Sequence, residues 1–268
     1  MNGTDQRLAV SAAFSRQSPV FDAIDEGNTL ITRMRTIVRS EAIRHMRPGQ
    51  DLLELNAGTG IDAFWFADQG LRVLATDDAA GMIDRMRAKQ QAHPEAAVEV
   101  MSCSFLHLDQ LGDRRFDHVF SNFGGLNCTD RLDRVLDGID RVLRPGGTCV
   151  LVLMPHFSPW EALAVLKGRL RHAFRRFRRG GTTAHLEGIT FTCTYHGPGT
   201  VIGHLGPGYT VIAQRALSLT VPPPHHEGLP RRWPRLLRAL HTIEEAIAHR
   251  WPFHAWGDHV LIILRKRA

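Results

Sequence analysis

From Asp51 to Met154 the chain alternates short apolar runs with helical stretches, and this alternation limits the fold more than any other feature. Asp51-Leu52-Leu53-Glu54-Leu55, Leu71 to Ala75, Val98 to Ser102, Phe116 to Ser121 and Thr148 to Met154 read as strands. Ile61 to Gln69, Ala79 to Gln91 and Arg131 to Leu143 read as helices between them. Parallel strands need crossover connections, and helical crossovers bury both faces of the sheet, so its strands appear as short apolar runs. The expected core is a doubly wound α/β sheet with helices on both faces. Such a sheet binds its ligands at the carboxyl ends of its strands.

The flanks follow other patterns. In residues 1–47, Leu30, Met34, Ile37, Val38 and Ile43 recur at helical spacing, with Arg33, Arg35, Arg39 and Arg44 between them, and Pro48-Gly49 ends the helix. Beyond Met154, residues 155–181 look helical and basic. Residues 188–221 look like β-structure, with turns at Gly197-Pro198-Gly199 and Gly206-Pro207-Gly208. Leu236 to His249 reads as a helix and Asp258 to Lys266 as a final strand. The expected organisation has three parts. Residues 1–154 carry N-terminal helices and a cofactor-binding core. Residues 155–230 carry a basic helix and a β-rich insertion facing the substrate, and residues 231–268 return to complete the sheet.

Composition removes several function classes. A 43% hydrophobic content supports a packed core rather than disorder. No apolar run approaches the roughly 18 residues of a membrane span, and Met1 to Ser18 lacks a signal pattern. The expected location is the cytoplasm. Cys103, Cys128, Cys149 and Cys193 are scattered without a C-x-x-C pair, and no histidine sits in a metal-binding frame, so no metal is expected.

The chemistry concentrates after the first strand. Gly58-Thr59-Gly60 lies between a strand and a helix, where glycines allow a tight turn and a close ligand approach. Gly58-x-Gly60-x-x-Ala63 also satisfies a dinucleotide fingerprint, so an NAD-type oxidoreductase stays open at this point. Glu54 separates the two. A carboxylate there repels a pyrophosphate but suits the cationic methionyl end of S-adenosylmethionine; alternatively it pairs within the fold. Asp77, about twenty residues on, is placed to accept hydrogen bonds from a ribose, which both cofactors carry. Asp78 reads as the cap of the next helix.

Taken with Phe116 to Phe123 and Arg141-Val142-Leu143-Arg144-Pro145-Gly146-Gly147, the segment Glu54 to Gly60 resembles the class I S-adenosylmethionine-dependent methyltransferases. The nearest resemblance is to those of ubiquinone and menaquinone biosynthesis. It covers about residues 10–155 and includes Phe14, Phe21-Asp22 and Asn28. It implies a mostly parallel, seven-stranded, Rossmann-like sheet and S-adenosylmethionine as cofactor. The positions it implies for the cofactor are Glu54, Asn56, Ala57, Gly58, Gly60, Asp77, Asp78, Met82, Ser104, Phe105 and Asn122. Asn56 stands where the family has glycine; asparagine tolerates left-handed backbone. Ser104 stands where an acid often meets the adenine amino group. Met82 packs either on the adenine or in the core.

The resemblance implies methyl transfer to a small lipophilic or aromatic acceptor, at oxygen or carbon rather than nitrogen. Ser121-Asn122-Phe123-Gly124 replaces the Asp-Pro-Pro-Tyr signature of DNA adenine methylation, and no Pro-Cys follows the fourth strand. Phe123, Asn127 and Tyr195 are the candidate substrate contacts, His156 is the candidate base, and His196 could join Tyr195 in a lid. Trp160, Leu163, Leu166, Leu170, Phe174 and Phe177 recur at helical spacing, opposite Lys167, Arg169, Arg171, Arg175, Arg176, Arg178 and Arg179. This pattern predicts a cationic amphipathic helix over 160–179. It is either a helix with a solvated basic face or a peripheral contact with the inner face of a membrane; nucleic acid fits it less well. A non-catalytic protein that binds the adenosyl group or adheres to a membrane is the remaining alternative.

Overall fold

A computed structural model describes residues 3–268, with no side chain described at 230 and 231. Three helices lead in: α1 (Gly3–Gln17), α2 (Phe21–Gly27) and α3 (Thr29–Ile43). Asn28 caps α3, its Oδ1 accepting from the Leu30 and Ile31 amides at 3.0 and 3.2 Å. The alternating segment then gives β1 (Asp51–Leu55), α4 (Ile61–Asp68), β2 (Arg72–Asp77), α5 (Ala80–Ala92), β3 (Val98–Ser102), β4 (Phe116–Ser121), α6 (Leu132–Val142) and β5 (Leu143–Leu153). The rest of the chain adds α7 (Pro159–Ala162), α8 (Leu170–Ala173), β6 (Thr182–Leu186), β7 (Ile189–Cys193), α9 (Pro198–Leu205), β8 (Tyr209–Leu217), α10 (Gly228–Arg232), α11 (Pro234–Ile247) and β9 (His259–Lys266).

The sheet has seven strands in the order β3-β2-β1-β4-β5-β9-β8. β1 to β5 pair in parallel, while β9 runs antiparallel to both β5 and β8. The doubly wound, mostly parallel, Rossmann-like sheet read from the sequence is therefore the observed one. Period-two alternation divides its side chains between two cores. Leu52, Phe120, Val150 and Leu261 pack with Val38, Phe66 and Ile83 on one face. Leu53, Val119, Leu151 and Ile262 pack with Leu136, Ile139 and Val201 on the other. The strand order reverses between β1 and β4, which makes the crevice above that pair the place for a ligand.

Several expectations need correction. β5 starts at Leu143, not Thr148: Arg144 to Gly147 is absorbed as an irregularity of the strand, and Arg144 pairs with Asp51 and Asp117 at 3.0 and 2.8 Å. Residues 198–205 are a helix rather than β-structure, because Pro198 starts it and Val201 faces the core. β8 belongs to the main sheet, so residues 155–230 are not wholly an insertion; only β6 and β7 form a separate hairpin. Finally, 160–179 is not one amphipathic helix. Gly168, at φ +67°, separates α7 and a 3-10 turn from α8 and a second turn. Arg176 turns inward, while Leu163, Leu166, Leu170, Phe174 and Phe177 remain exposed.

Candidate cofactor and acceptor site

β1 delivers Glu54 to the ligand edge of the sheet, and the chain then turns sharply through Asn56 (φ +45°), Gly58 (φ +60°) and Gly60 (φ +83°). A side chain at Gly60 would lie 2.9 Å from Met86 Cγ, so this position needs glycine both for its backbone and for its packing. Asn56 is held by its side chain: Nδ2 donates to the Asn122 carbonyl at 3.2 Å, and Oδ1 accepts from Ser121 Oγ at 2.7 Å. The loop after β1 is thus fastened to the loop after β4.

A cavity of about 640 Å³ opens above these loops. Glu54, Asn56, Ala57 and Gly58 line it from β1, and Asp77 and Asp78 from β2. Ser104 and Phe105 follow β3, and Asn122 and Phe123 follow β4. Helix α1 adds Val10 and Phe14. Arg7 of α1 pairs with Asp78 at 2.9 Å and Ser11 Oγ donates to the Asp78 carbonyl, which fixes α1 across the end of β2.

Asp77 accepts from the Gly58 amide at 2.9 Å and the Ala79 amide at 2.8 Å. Burial nevertheless pushes its pKa up to about 6 against these backbone donors. Asp77, not Asp78, therefore receives the first amide of the α5 turn. Glu54 is 3% exposed, and its Oε2 is buried with no hydrogen-bond partner. Burial raises its carboxyl well above the ordinary range; Asp62 and Asp77 push the same way, against Arg35 and Arg39.

Beside Glu54 lies a buried ionic cluster. Arg35 of α3 binds Asp25 and Asp62, Arg39 Nε donates to Asp62 at 2.6 Å, and Asn122 Nδ2 donates to the same carboxylate at 3.0 Å. The Arg35 guanidinium also sits 4.6 Å from the Phe123 ring centroid. Arg35 and Asp62 both line the cavity.

Residues 53–151 match a family model described as a methyltransferase domain. That segment, from within β1 to within β5, is therefore similar to a methyltransferase domain. The chain is 32% identical over 151 residues to a malonyl-[acyl-carrier protein] O-methyltransferase of Serratia marcescens, covering 54% of this chain and 52% of that protein. It is 31% identical over 144 residues to a demethylmenaquinone methyltransferase of Thermobifida fusca, covering 51% and 60%. The matched region thus spans little more than half of each relative. The fold also matches the Burkholderia thailandensis 1,6-didemethyltoxoflavin-N1-methyltransferase, solved with 1,6-didemethyltoxoflavin and S-adenosylhomocysteine bound. That match has a TM-score of 0.60 at 15% identity, over 100% of this chain and 92% of that one.

The cavity brings together Glu54, Asn56, Ala57, Gly58, Asp77, Asp78, Met82, Ser104, Phe105, Asn122 and Phe123. Gly60 shapes the loop without lining the cavity. Four other candidate residues lie off the cavity. Asn127 is buried as a brace: it donates to the Met154 and Thr194 carbonyls at 3.0 and 2.7 Å and accepts from the Met154 amide. Tyr195 hydrogen-bonds Thr182 and lies beneath Arg176 rather than on the cavity. His156 is exposed, with Nδ1 3.1 Å from the Arg176 carbonyl and its ring stacked toward Phe177, so it is not a base for this cavity. His196 reaches the Thr129 carbonyl and does not line the cavity either.

The sequence reading missed Arg35, Asp62 and Asp25. The signal for Arg35 was its place between Met34 and Val38, on the buried face of α3. An arginine there needs buried carboxylates, and Asp62 in the first turn of α4 is one. Cys128 lines the cavity as a neutral group, since burial pushes its thiol to about 12.

Proposed function

We propose that the chain is an S-adenosylmethionine-dependent methyltransferase acting on a small lipophilic or aromatic acceptor, at oxygen or carbon. The observation that carries this reading is the buried, unpartnered Glu54 Oε2 at the cavity wall. A carboxylate removed from water needs a cationic partner, and the methionyl end of this cofactor supplies one. A pyrophosphate would meet repulsion at the same atom, which weighs against the NAD-type alternative.

The remaining residues fit the group. Asp77 is held by two backbone amides with its carboxylate at the cavity, suited to ribose hydroxyls. Met82, Phe105 and Ser104 offer an apolar slot with one hydroxyl, suited to a purine. Glu54 and the Arg35–Asp62 pair would hold the charged amino-acid end. When bound, the cofactor supplies a methyl group already activated on a cationic sulfur.

The chain's own part is alignment. Arg35, over the Phe123 ring, belongs with Asp62 to the ionic cluster. Phe14, Phe21 and Phe123 add apolar wall that orients an acceptor and excludes water. The demethylmenaquinone methyltransferase among the relatives supports a lipophilic acceptor, and such an acceptor partitions into lipid. Peripheral contact with the inner membrane face, from the cytoplasm, belongs to this reading.

The test is calorimetry with S-adenosylhomocysteine and with NAD(H), followed by methyl transfer from labelled cofactor to a panel of quinols, phenols and amines. Stoichiometric S-adenosylhomocysteine binding, no NAD(H) binding and turnover on a quinol or phenol are expected. NAD(H) binding would replace the cofactor assignment. Binding without turnover on any acceptor would favour a non-catalytic adenosyl-binding protein.

A further inference from the structure

We infer that residues 163–179 form a docking surface for an anionic lipid membrane; this rests on the lipophilic-acceptor reading for its purpose and on the surface itself for its chemistry. Leu163, Leu166, Leu170, Phe174 and Phe177 are between 50% and 83% exposed. Single exposed apolar side chains are ordinary, but five in one short segment are not. Phe174 and Phe177 lie 6.4 Å apart, and Trp160 rests against His226, which shares a surface hollow with exposed Trp233. Tryptophan is favoured at the boundary between water and lipid.

The same segment carries Lys167, Arg169, Arg171, Arg178 and Arg179, all exposed. No acid occurs between Glu161 and Glu187, and none of these five cations is in an ion pair among the described residues. Charge and apolar surface together select the occupant. A second copy of the chain, meeting this face through a two-fold axis, would set the same cations against each other. A nucleic acid would use the cations but leave the leucines in water. An anionic bilayer satisfies both, taking the apolar side chains into its interface and the cations at its headgroups.

The surface is firmly seated and lies behind the cavity wall. Arg176 is buried, donating to Glu161 at 2.8 Å and to Asp258 at 2.6 Å. Asp258 adjoins His259, whose ring lies 6.4 Å from that of cavity-lining Phe123. The surface is thus joined to cavity-lining Phe123 through the buried relay Arg176, Asp258 and His259.

The experiment is co-sedimentation of the full chain with vesicles of phosphatidylcholine alone and of phosphatidylcholine mixed with phosphatidylglycerol. S-adenosylhomocysteine affinity is measured on every variant as the check on folding. Binding to the anionic vesicles only is expected. Lys167→Glu with Arg171→Glu should weaken it by about fivefold or more for each cation reversed. Leu166→Ser with Phe174→Ser should weaken it by roughly tenfold or more. Arg85→Glu with Arg87→Glu, which changes net charge equally on an exposed face of α5, should leave most of the binding intact. Equal binding to both vesicle types, equal loss in the α5 control, dimerisation through the segment, or RNA binding in place of vesicle binding would each overturn the proposal. Absence of S-adenosylhomocysteine binding in the unaltered chain would instead defeat the function reading and leave the vesicle result standing.

Discussion

Two buried arginines occupy matching surroundings in different parts of the molecule. Arg35 lies between Asp25 and Asp62 with its guanidinium over Phe123, and Arg176 lies between Glu161 and Asp258 with its guanidinium over Tyr195. Their charge balance differs. Around Arg176, two arginines face two carboxylates, because Arg175 also binds Glu161 at 2.8 Å. Burial alone would raise the Asp258 and Glu161 carboxyls. Their partners, His259 and Arg176 for Asp258 and Arg175 and Arg176 for Glu161, outweigh it and hold both below the ordinary range. Around Arg35, two arginines face three acids, and Glu54 is the surplus one, with a buried oxygen left unpaired. A balanced buried cluster is a closed structural joint, whereas a surplus carboxylate on a cavity is an invitation to a cation.

The largest effects should come from removing the arginines. Arg176→Met leaves two carboxylates buried without the partner they share and should cost roughly 3–5 kcal/mol in urea unfolding. S-adenosylhomocysteine affinity of the folded protein should change by no more than about threefold. Arg35→Met should cost a similar stability and also weaken that affinity by about tenfold or more, roughly 1.4 kcal/mol. Unchanged affinity in Arg35→Met would make the two clusters equivalent and remove Arg35 from the site.

Glu54→Gln should separate stability from binding. Burial destabilises the ionised Glu54, so the ligand-free variant should melt no lower than the parent at neutral pH, while S-adenosylhomocysteine affinity falls by about tenfold or more. The pH dependence has the same two-sided form. Burial lifts Asp77 to about 6 in the fold against an ordinary carboxyl near 3.8, so the fold binds its proton more tightly than the unfolded chain. That contribution is present at low pH and is lost as pH rises from near 3.8 through about 6, a change of about 3 kcal/mol. Binding runs the opposite way, since the ionised carboxylate accepts ribose hydroxyls: affinity should rise through about pH 6 and be down about tenfold one unit below it. Calorimetry on Asp77→Asn should show this edge flattened, and on Glu54→Gln should show it retained.

The contrast between the two clusters also marks what the sequence could reveal. The cofactor side was legible because its geometry is local: a strand, a positive-φ loop and a helix follow one another within Leu52 to Asp68. The partners of Arg176 were not. Asp258 lies 82 residues away, and without it Arg175 and Arg176 read as two more members of a basic face. Gly168 was the local clue that the helix stops. Arg35 was read as one of the arginines between apolar positions, since its buried partners lie 10 and 27 residues along the chain. β8 was hidden for the same reason, as its place in the sheet depends on β9, which follows a proline-rich stretch and helix α11.

The smallest effect tests whether the loop after β1 belongs to the binding cluster or only to its frame. Asn56→Gly removes the bonds to the Asn122 carbonyl and Ser121 Oγ, but glycine adopts φ +45° without strain. The two changes oppose each other, so thermal unfolding should shift by about 1 kcal/mol or less. S-adenosylhomocysteine affinity should change by no more than about threefold if Asn56 serves as a brace between the two loops. A loss well beyond tenfold with unchanged stability would therefore place the Asn56 amide on the cofactor itself, and the surplus charge of Glu54 would then act with a neutral donor beside it rather than alone.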